Sequence, residues 1–344
     1  MIKDNNIESE VLPPHVQLIQ MGNAFQMSRL IYTAAKLNLA DHLSEGPRNV
    51  TELADLTSAQ APLLYRFMRA LTDLGIFLEG NHQHFSLTPL GEALKAGAPG
   101  SAHSTIMVTA GILSWRTWEF FPQCLEDGDT GVQKAWGMPI FELLAQHPQE
   151  ASYFNEAMIG LHGSESLAIT TAYDFSGSNI IVDIGGGTGN ILSTILGHYS
   201  EPQAILFDLP SVIDEAIPLI QAQGLTDRIT AQSGNFFESV PEGGDTYILS
   251  HIIHDWNEEQ CLTILGNCHK AMKSGSKLLI IEMVLPTDGT PHPGKLLDMT
   301  MLAYTGGQER TEQEYASLLE KADFRLTRVV PTESPVSIVK ASPA

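Results

Sequence analysis

Between Val16 and Leu43 the apolar residues Leu18, Ile19, Met21, Phe25, Met27, Leu30, Ile31, Ala34, Ala35 and Leu37 return at helical spacing. The stripe is broader than a surface helix needs, so a partner chain is expected to cover part of it. The stretch Val50–Gly91 is choppier. A helix over Thr51–Leu56, a second from Ala61-Pro62 to Leu74 closed by Gly75, and Ile76–Leu78 with Phe85–Leu87 around a Gly80-Asn81 turn read as helix, turn, helix, hairpin. That order is a winged helix–turn–helix. From Ala102 to about Tyr173 the pattern is helical and rich in aromatics, with Gly128, Gly131 and Gly137 as interruptions. The stretch suits a connector that also walls a substrate cavity, although core packing accounts for each aromatic taken singly.

Beyond Ile180 the pattern changes to strands alternating with helices. The strands expected are Ile180–Ile184, Ala204–Asp208, Ile229–Gln232, Asp245–Ser250, Leu278–Met283, Phe324–Val330 and Val336–Lys340. Only a short Pro-containing turn joins the last two, too short for a crossover helix, so they must pair antiparallel. The fold class expected is α/β, a Rossmann-like seven-stranded sheet with one antiparallel strand behind a mostly helical winged-helix domain. The boundaries read are 1–100, 101–175 and 176–344.

Composition narrows the partners. The chain has 344 residues and a formal net charge of −21. Nucleic acid and anionic membrane both need a basic surface, so neither is expected as a partner. Residues 51–77 hold only Arg66 and Arg69 against Glu52, Asp55 and Asp73, and the wing has no Lys or Arg, so the winged helix reads as an interaction domain. Three cysteines, Cys124, Cys261 and Cys268, make no disulfide framework and suit a reducing cytoplasm. Met1–Pro14 is polar and acidic, without a signal-peptide core, and no apolar run reaches the roughly 20 residues that span a bilayer.

The candidate chemistry centres on Ile180-Ile181-Val182-Asp183-Ile184-Gly185-Gly186-Gly187-Thr188-Gly189-Asn190, read as strand, tight turn, helix. Glycines there let backbone approach a ligand, and the following helix favours a polar or anionic group. The dinucleotide pattern Gly-x-Gly-x-x-Gly fails at Asn190, whereas Asp-x-Gly-x-Gly-x-Gly is met. A bare βα turn is the plainer alternative. Asp208, 23 positions beyond Gly185, stands where nucleotide-binding sheets hold a ribose diol, or else it opens a turn before Pro210. Gly234-Asn235-Phe236-Phe237 follows the third strand, where a polar side chain and an aromatic suit an adenine ring.

The fourth strand runs into Ser250-His251-Ile252-Ile253-His254-Asp255-Trp256. His254 at the mouth of the sheet is the natural general base for a hydroxyl. Asp255 and Glu258 have the spacing of a helix-capping pair. A His251/His254 metal pair lacks an evident carboxylate set, so no metal is expected. Glu282 is a lone acid in an apolar strand, costly without a partner, and Glu309 sits in the glycine loop Gly306–Thr311. A base oriented by carboxylates follows the logic of a catalytic triad.

Asp183-Ile184-Gly185-Gly186-Gly187-Thr188-Gly189, Phe207-Asp208-Leu209-Pro210, Gly234-Asn235-Phe236-Phe237, His254-Asp255-Trp256 and Gly306-Gly307-Gln308-Glu309-Arg310-Thr311 occur in one order and spacing. From about residue 16 onward the chain thereby resembles the plant and bacterial small-molecule O-methyltransferases, of the caffeate, hydroxyindole and antibiotic-tailoring type. The resemblance implies a class I methyltransferase sheet and an N-terminal domain that forms a homodimer. It implies S-adenosyl-L-methionine as cofactor, S-adenosyl-L-homocysteine as product, and O-methylation of a small, aromatic hydroxyl compound. His254 is then the base, with Glu282 and Glu309 flanking its imidazole. The implied cofactor positions are Asp183, Gly185, Gly187, Asp208, Gly234, Asn235, Phe236, Ser250 and Trp256. Phe154, Met158, Asp255 and Met301 are the implied acceptor positions. Asn235 and Ser250 depart from the plant pattern, which has Asp and often Lys there. Alternatives are a cofactor-retaining hydroxylase or decarboxylase on the same fold, an NAD-dependent oxidoreductase, and a ligand-binding winged-helix regulator.

Overall fold

The computed structural model describes residues 12–163 and 165–344. The N-terminal segment read as polar and acidic lies, up to residue 11, outside them. The chain divides into two compact units, one of residues up to 115 with 148–160, the other of 116–147 and 161–344.

In the first unit, α1 runs over Pro14–Lys36. It stops short of Leu43 because Asn38 turns the backbone left-handed (φ 50°), a conformation its short polar side chain tolerates. Helix α2 (Val50–Thr57) opens on a capping box in which Asn49 accepts the Glu52 N–H and Glu52 accepts the Asn49 N–H. Helix α3 spans Ala61–Asp73, and strands β1 (Phe77–Glu79) and β2 (His84–Leu87) form the wing. Arg48–Asn49 adds a third strand to β2 that its polar sequence does not announce. Leu53, Leu64, Met68, Leu71, Phe77 and Phe85 are buried together in the core of this unit. Along α1, by contrast, Leu18 is 69% and Met21 68% exposed, and Ile19, Phe25 and Met27 are exposed beside them.

The first unit also holds most of helix α4 (Pro148–His162), after which the second unit resumes with α5 (Glu165–Ala172). Its strands are β3 (Ile180–Ile184), β4 (Gln203–Asp208), β5 (Ile229–Ser233), β6 (Thr246–Ser250), β7 (Lys277–Glu282), β8 (Phe324–Pro331) and β9 (Ser337–Pro343). They form one sheet in the order β8-β9-β7-β6-β3-β4-β5. Strands β3 to β7 pair parallel, and β9 runs antiparallel to both β7 and β8, as the short final turn demands.

Alternate residues feed two cores. Val182, Ile184, Tyr247, Leu249, Leu278 and Ile280 face one side, with Cys261 and Cys268 of α8 (Glu258–Ala271) and Tyr315 of α10 (Glu312–Lys321). Ile181, Leu206, Ile248, Leu279 and Ile281 face the other, with Leu192 of α6 (Asn190–His198) and Ile213 of α7 (Pro210–Ala222). Each such fully buried aliphatic stabilises by about 1.5–3 kcal/mol relative to exposure. Helix α9 (Gly294–Tyr304) precedes the glycine loop. Because the five parallel strands end along one edge, their carboxyl termini gather there, and the order reverses between β3 and β6. Open sheets of this kind bind ligands at that reversal.

Candidate active site

At the end of β3 the chain turns through Gly185 (φ 69°) and Gly187 (φ 57°), which an L side chain rarely follows. The Gly187 N–H donates to Asp208 Oδ2 at 2.9 Å, and the Leu209 N–H to Oδ1 at 2.7 Å, so the carboxylate at the end of β4 is tied to the turn. Burial pushes the Asp208 carboxyl up, against those two donors. Beneath the turn Asp183 is 1% exposed, and neither of its oxygens has a partner among the described residues. Burial, reinforced by the charge of Asp208, pushes its carboxyl up to about 7. Around Gly187 none of the described residues lies within 4 Å of where a Cβ would stand, so among them the turn faces open space.

The loop after β5 comes to the same place. A Cβ on Gly234 would fall 2.4 Å from the Phe207 ring, and the Phe236 ring stands 3.7 Å from the corresponding point on Gly185. Asn235 Oδ1 accepts the Phe237 N–H at 3.0 Å, which leaves its amide directed by the loop's own turn. Trp256 packs edge-on to Phe237 at 4.8 Å, with Phe236 at 6.0 Å and Phe141 at 5.5 Å. A cavity of about 360 Å³ opens beside it, lined among others by Thr130, Phe141, Trp256 and Tyr304. His254 is not part of that lining. Ser250 ends β6, half-buried.

After Ser250 one turn of 3-10 helix, Ile253–Asp255, carries His254 into the interior at 6% exposure. Its Nδ1 lies 2.6 Å from Glu309 Oε1. Glu282 does not flank the ring, as the sequence suggested. Its Oε1 accepts the His254 backbone N–H at 3.0 Å, and its Oε2 accepts the Tyr315 hydroxyl. The reason is register: Glu282 is the last residue of β7, beside the backbone that leaves β6. Burial works against an imidazolium here. The hydrogen bond to Glu309 and the charges of Asp255, Glu282 and Glu309 outweigh it and raise His254 to about 10. Asp255 is not the helix cap that its spacing suggested. Asn257 caps α8, accepting the Gln260 N–H at 3.0 Å while Gln260 accepts the Asn257 N–H at 3.3 Å. Asp255 Oδ1 instead stands 3.9 Å from His254 Nε2, and burial pushes its carboxyl up to about 6.

A second cluster adjoins the first. Glu165 Oε2 takes His251 Nε2 at 2.8 Å and His162 Nδ1 at 3.1 Å, and the His251 ring centroid lies 5.3 Å from that of His254. Although burial acts the other way, the two imidazoles lower Glu165 to about 2. The carboxylate that the sequence could not offer a His251 metal pair is thus present, and the three ligand-type atoms lie within 4.8 Å of one another. His251 Nδ1, however, is buried without a partner among the described residues, whereas a ligating imidazole normally donates its second N–H.

Met301 is buried on α9, and Asp298 of the same helix accepts the Glu309 N–H at 2.9 Å. Phe154 and Met158 lie half-buried on α4, within the first unit. Sequence reasoning missed Glu165, Tyr315, Arg310 and Asn257. Asn257 had a signal in its Asn-x-x-Gln spacing. Glu165 had none, being 86 positions from His251.

Comparison with known proteins fits this geometry. An O-methyltransferase domain model matches residues 118–325, and an O-methyltransferase dimerisation domain model matches 19–96. The phenazine O-methyltransferase of Lysobacter antibioticus is 39% identical, over 98% of this chain and 99% of that protein. The mitomycin biosynthesis 6-O-methyltransferase of Streptomyces lavendulae is 34% identical, over 91% and 90%. An O-methyltransferase from neocarzinostatin biosynthesis, solved with S-adenosylmethionine and 2-hydroxy-5-methyl naphthoic acid, superposes with a TM-score of 0.82. It is 28% identical and the match covers 92% of this chain and 96% of that one. A glycine turn tied to an acid at the neighbouring strand, an imidazole held by a carboxylate at the sheet's mouth, and matches along nearly the whole length agree: the chain belongs to the O-methyltransferase family.

Proposed function

We propose that His254 is the general base in methyl transfer from S-adenosylmethionine to a hydroxyl of a fused-ring aromatic compound. The observation that carries this is the short contact between His254 Nδ1 and Glu309, which fixes the ring and leaves Nε2 for the acceptor. The methyl donor supplies an electrophilic carbon on a cationic sulfur. His254 Nε2 takes the hydroxyl proton as the acceptor oxygen bonds that carbon, and the electrons of the broken C–S bond stay on sulfur, giving S-adenosylhomocysteine. Much of the rate comes from holding oxygen, carbon and sulfur in line.

The donor's nucleoside fits the residues at the reversal of strand order. Asp208 has a carboxylate for the ribose diol, and the Gly185–Gly187 turn offers close backbone approach over open space. Buried oxygens of Asp183 without a donor suit a ligand rich in N–H and O–H groups. Gly234, Asn235 and Phe236 suit the adenine, with Ser250 and Trp256 completing the set. Phe154, Met158, Asp255 and Met301 are assigned to the acceptor, and the relatives' names, a phenazine O-methyltransferase and a 6-O-methyltransferase of mitomycin biosynthesis, favour a polycyclic one. The exposed stripe of α1, within the matched dimerisation domain, is assigned to a homodimer. Three unpaired, buried cysteines suit work in the cytoplasm.

Calorimetric titration with S-adenosylhomocysteine, with NAD as control, tests the donor assignment. Micromolar binding of the first alone is expected. Binding of NAD instead would send the glycine turn back to a dinucleotide.

A further inference from the structure

Three side chains grip one peptide group. The Ile253 carbonyl accepts from Arg310 Nη1 at 3.2 Å and from Cys261 Sγ at 3.2 Å, while the N–H of the same peptide, that of His254, donates to Glu282. Arg310 is 2% exposed and follows directly on Glu309, which holds the ring. Glu282 is fully buried and, among the described residues, has one further donor, the hydroxyl of Tyr315, itself fully buried on α10. Burial and the charge of Glu282 hold the Tyr315 phenol well above its ordinary value, so it stays a donor. Glu282 hydrogen-bonds the backbone and not the imidazole, so it reaches the ring only through its charge.

We infer that Tyr315 is a positioning residue for the reaction: by saturating Glu282 it keeps that carboxylate clamped on the Ile253–His254 peptide, opposite Arg310, and so fixes where the base stands. The inference rests on His254 being the base. A buried carboxylate that loses one of its donors must find another or move. The donor within reach of movement is backbone of the turn that carries His254, so the loss is transmitted to the base and not to the glycine turn, which belongs to other strands.

Tyr315→Phe removes one oxygen and keeps the ring that fills the core. It is expected to bind S-adenosylhomocysteine as the unaltered enzyme does and to keep both KM values. Its kcat is expected to fall about 10- to 100-fold, the cost of misplacing a reacting group. Amide hydrogen exchange over 251–256 should quicken. In a Glu282→Gln background, whose amide needs no phenol donor, the same change should add little. A kcat within twofold of the unaltered enzyme would overturn the inference, as would an equal loss in both backgrounds, which indicates packing alone. If His254→Ala is active, the reading of the base fails and not merely that of Tyr315. Should the Phe variant not fold, fluorinated tyrosine at 315 keeps the shape while changing the donor and gives the same two readouts.

Discussion

A methyl group placed on Gly307 has nowhere to go. Its Cβ would stand 1.9 Å from the His254 carbonyl oxygen and 2.6 Å from the Asp255 carbonyl carbon, both backbone atoms. Ordinary contact begins near 3.4 Å, so loop and base must separate by about 1.5 Å. The loop cannot yield freely, because Glu309 is bonded to the His254 ring and to Asp298, and Arg310 to the Ile253 carbonyl. The displacement therefore falls on the base and its carboxylate together. Misplacing a reacting group by about 1 Å costs on the order of 10²-fold in rate. Gly307→Ala is accordingly expected to lower kcat by about 10²-fold while leaving S-adenosylhomocysteine affinity within threefold, since Gly185 follows β3 and Asp208 ends β4. Labelled-methyl transfer to a hydroxyarene gives the first number and calorimetry the second. Turnover within threefold of the unaltered enzyme would refute the claim that this loop holds the base.

Other consequences follow from the same geometry. With His254 raised to about 10, the neutral base accumulates as pH rises, so kcat/KM should climb across the neutral range and beyond. Glu309→Gln removes the main support of the imidazolium, so the acid limb should move to lower pH while the plateau falls about tenfold or more. A limb that stays in place would remove Glu309 from the role. Asp208→Asn should weaken S-adenosylhomocysteine about 10- to 100-fold, the loss of hydrogen bonds to a charged acceptor. Unaltered calorimetric affinity would place the ribose elsewhere. Phe25→Asp combined with Met21→Asp charges the exposed face of α1 and should convert a dimer into monomer by analytical ultracentrifugation. A dimer that persists would move the interface off that helix.

The sheet was legible because its strands are nearly continuous apolar runs between turn residues, and burial on both faces leaves little room for polar residues. The antiparallel partner of β8 followed from chain length alone. The glycine turn, Asp208, His254 and Glu309 were legible as residues, since strand ends and glycine loops mark themselves. What was not legible is who touches whom at long separation. Glu282 was expected on the ring and lies on the backbone, a matter of sheet register that one strand's pattern does not carry. Tyr315 was not singled out in the sequence at all, and only the fold brings its hydroxyl to Glu282, 33 positions away. Asp255 was misread as a cap because a better capping pair two residues on competes for the same helix end.

The most direct measurement is single-turnover transfer of labelled methyl from S-adenosylmethionine to a hydroxyphenazine, by the unaltered enzyme and by His254→Ala, each shown by calorimetry to bind S-adenosylhomocysteine. If His254 is the base, the unaltered enzyme yields the O-methyl ether and the variant, with cofactor affinity intact, loses about 10²-fold or more in rate. Equal rates in the two proteins would contradict that role.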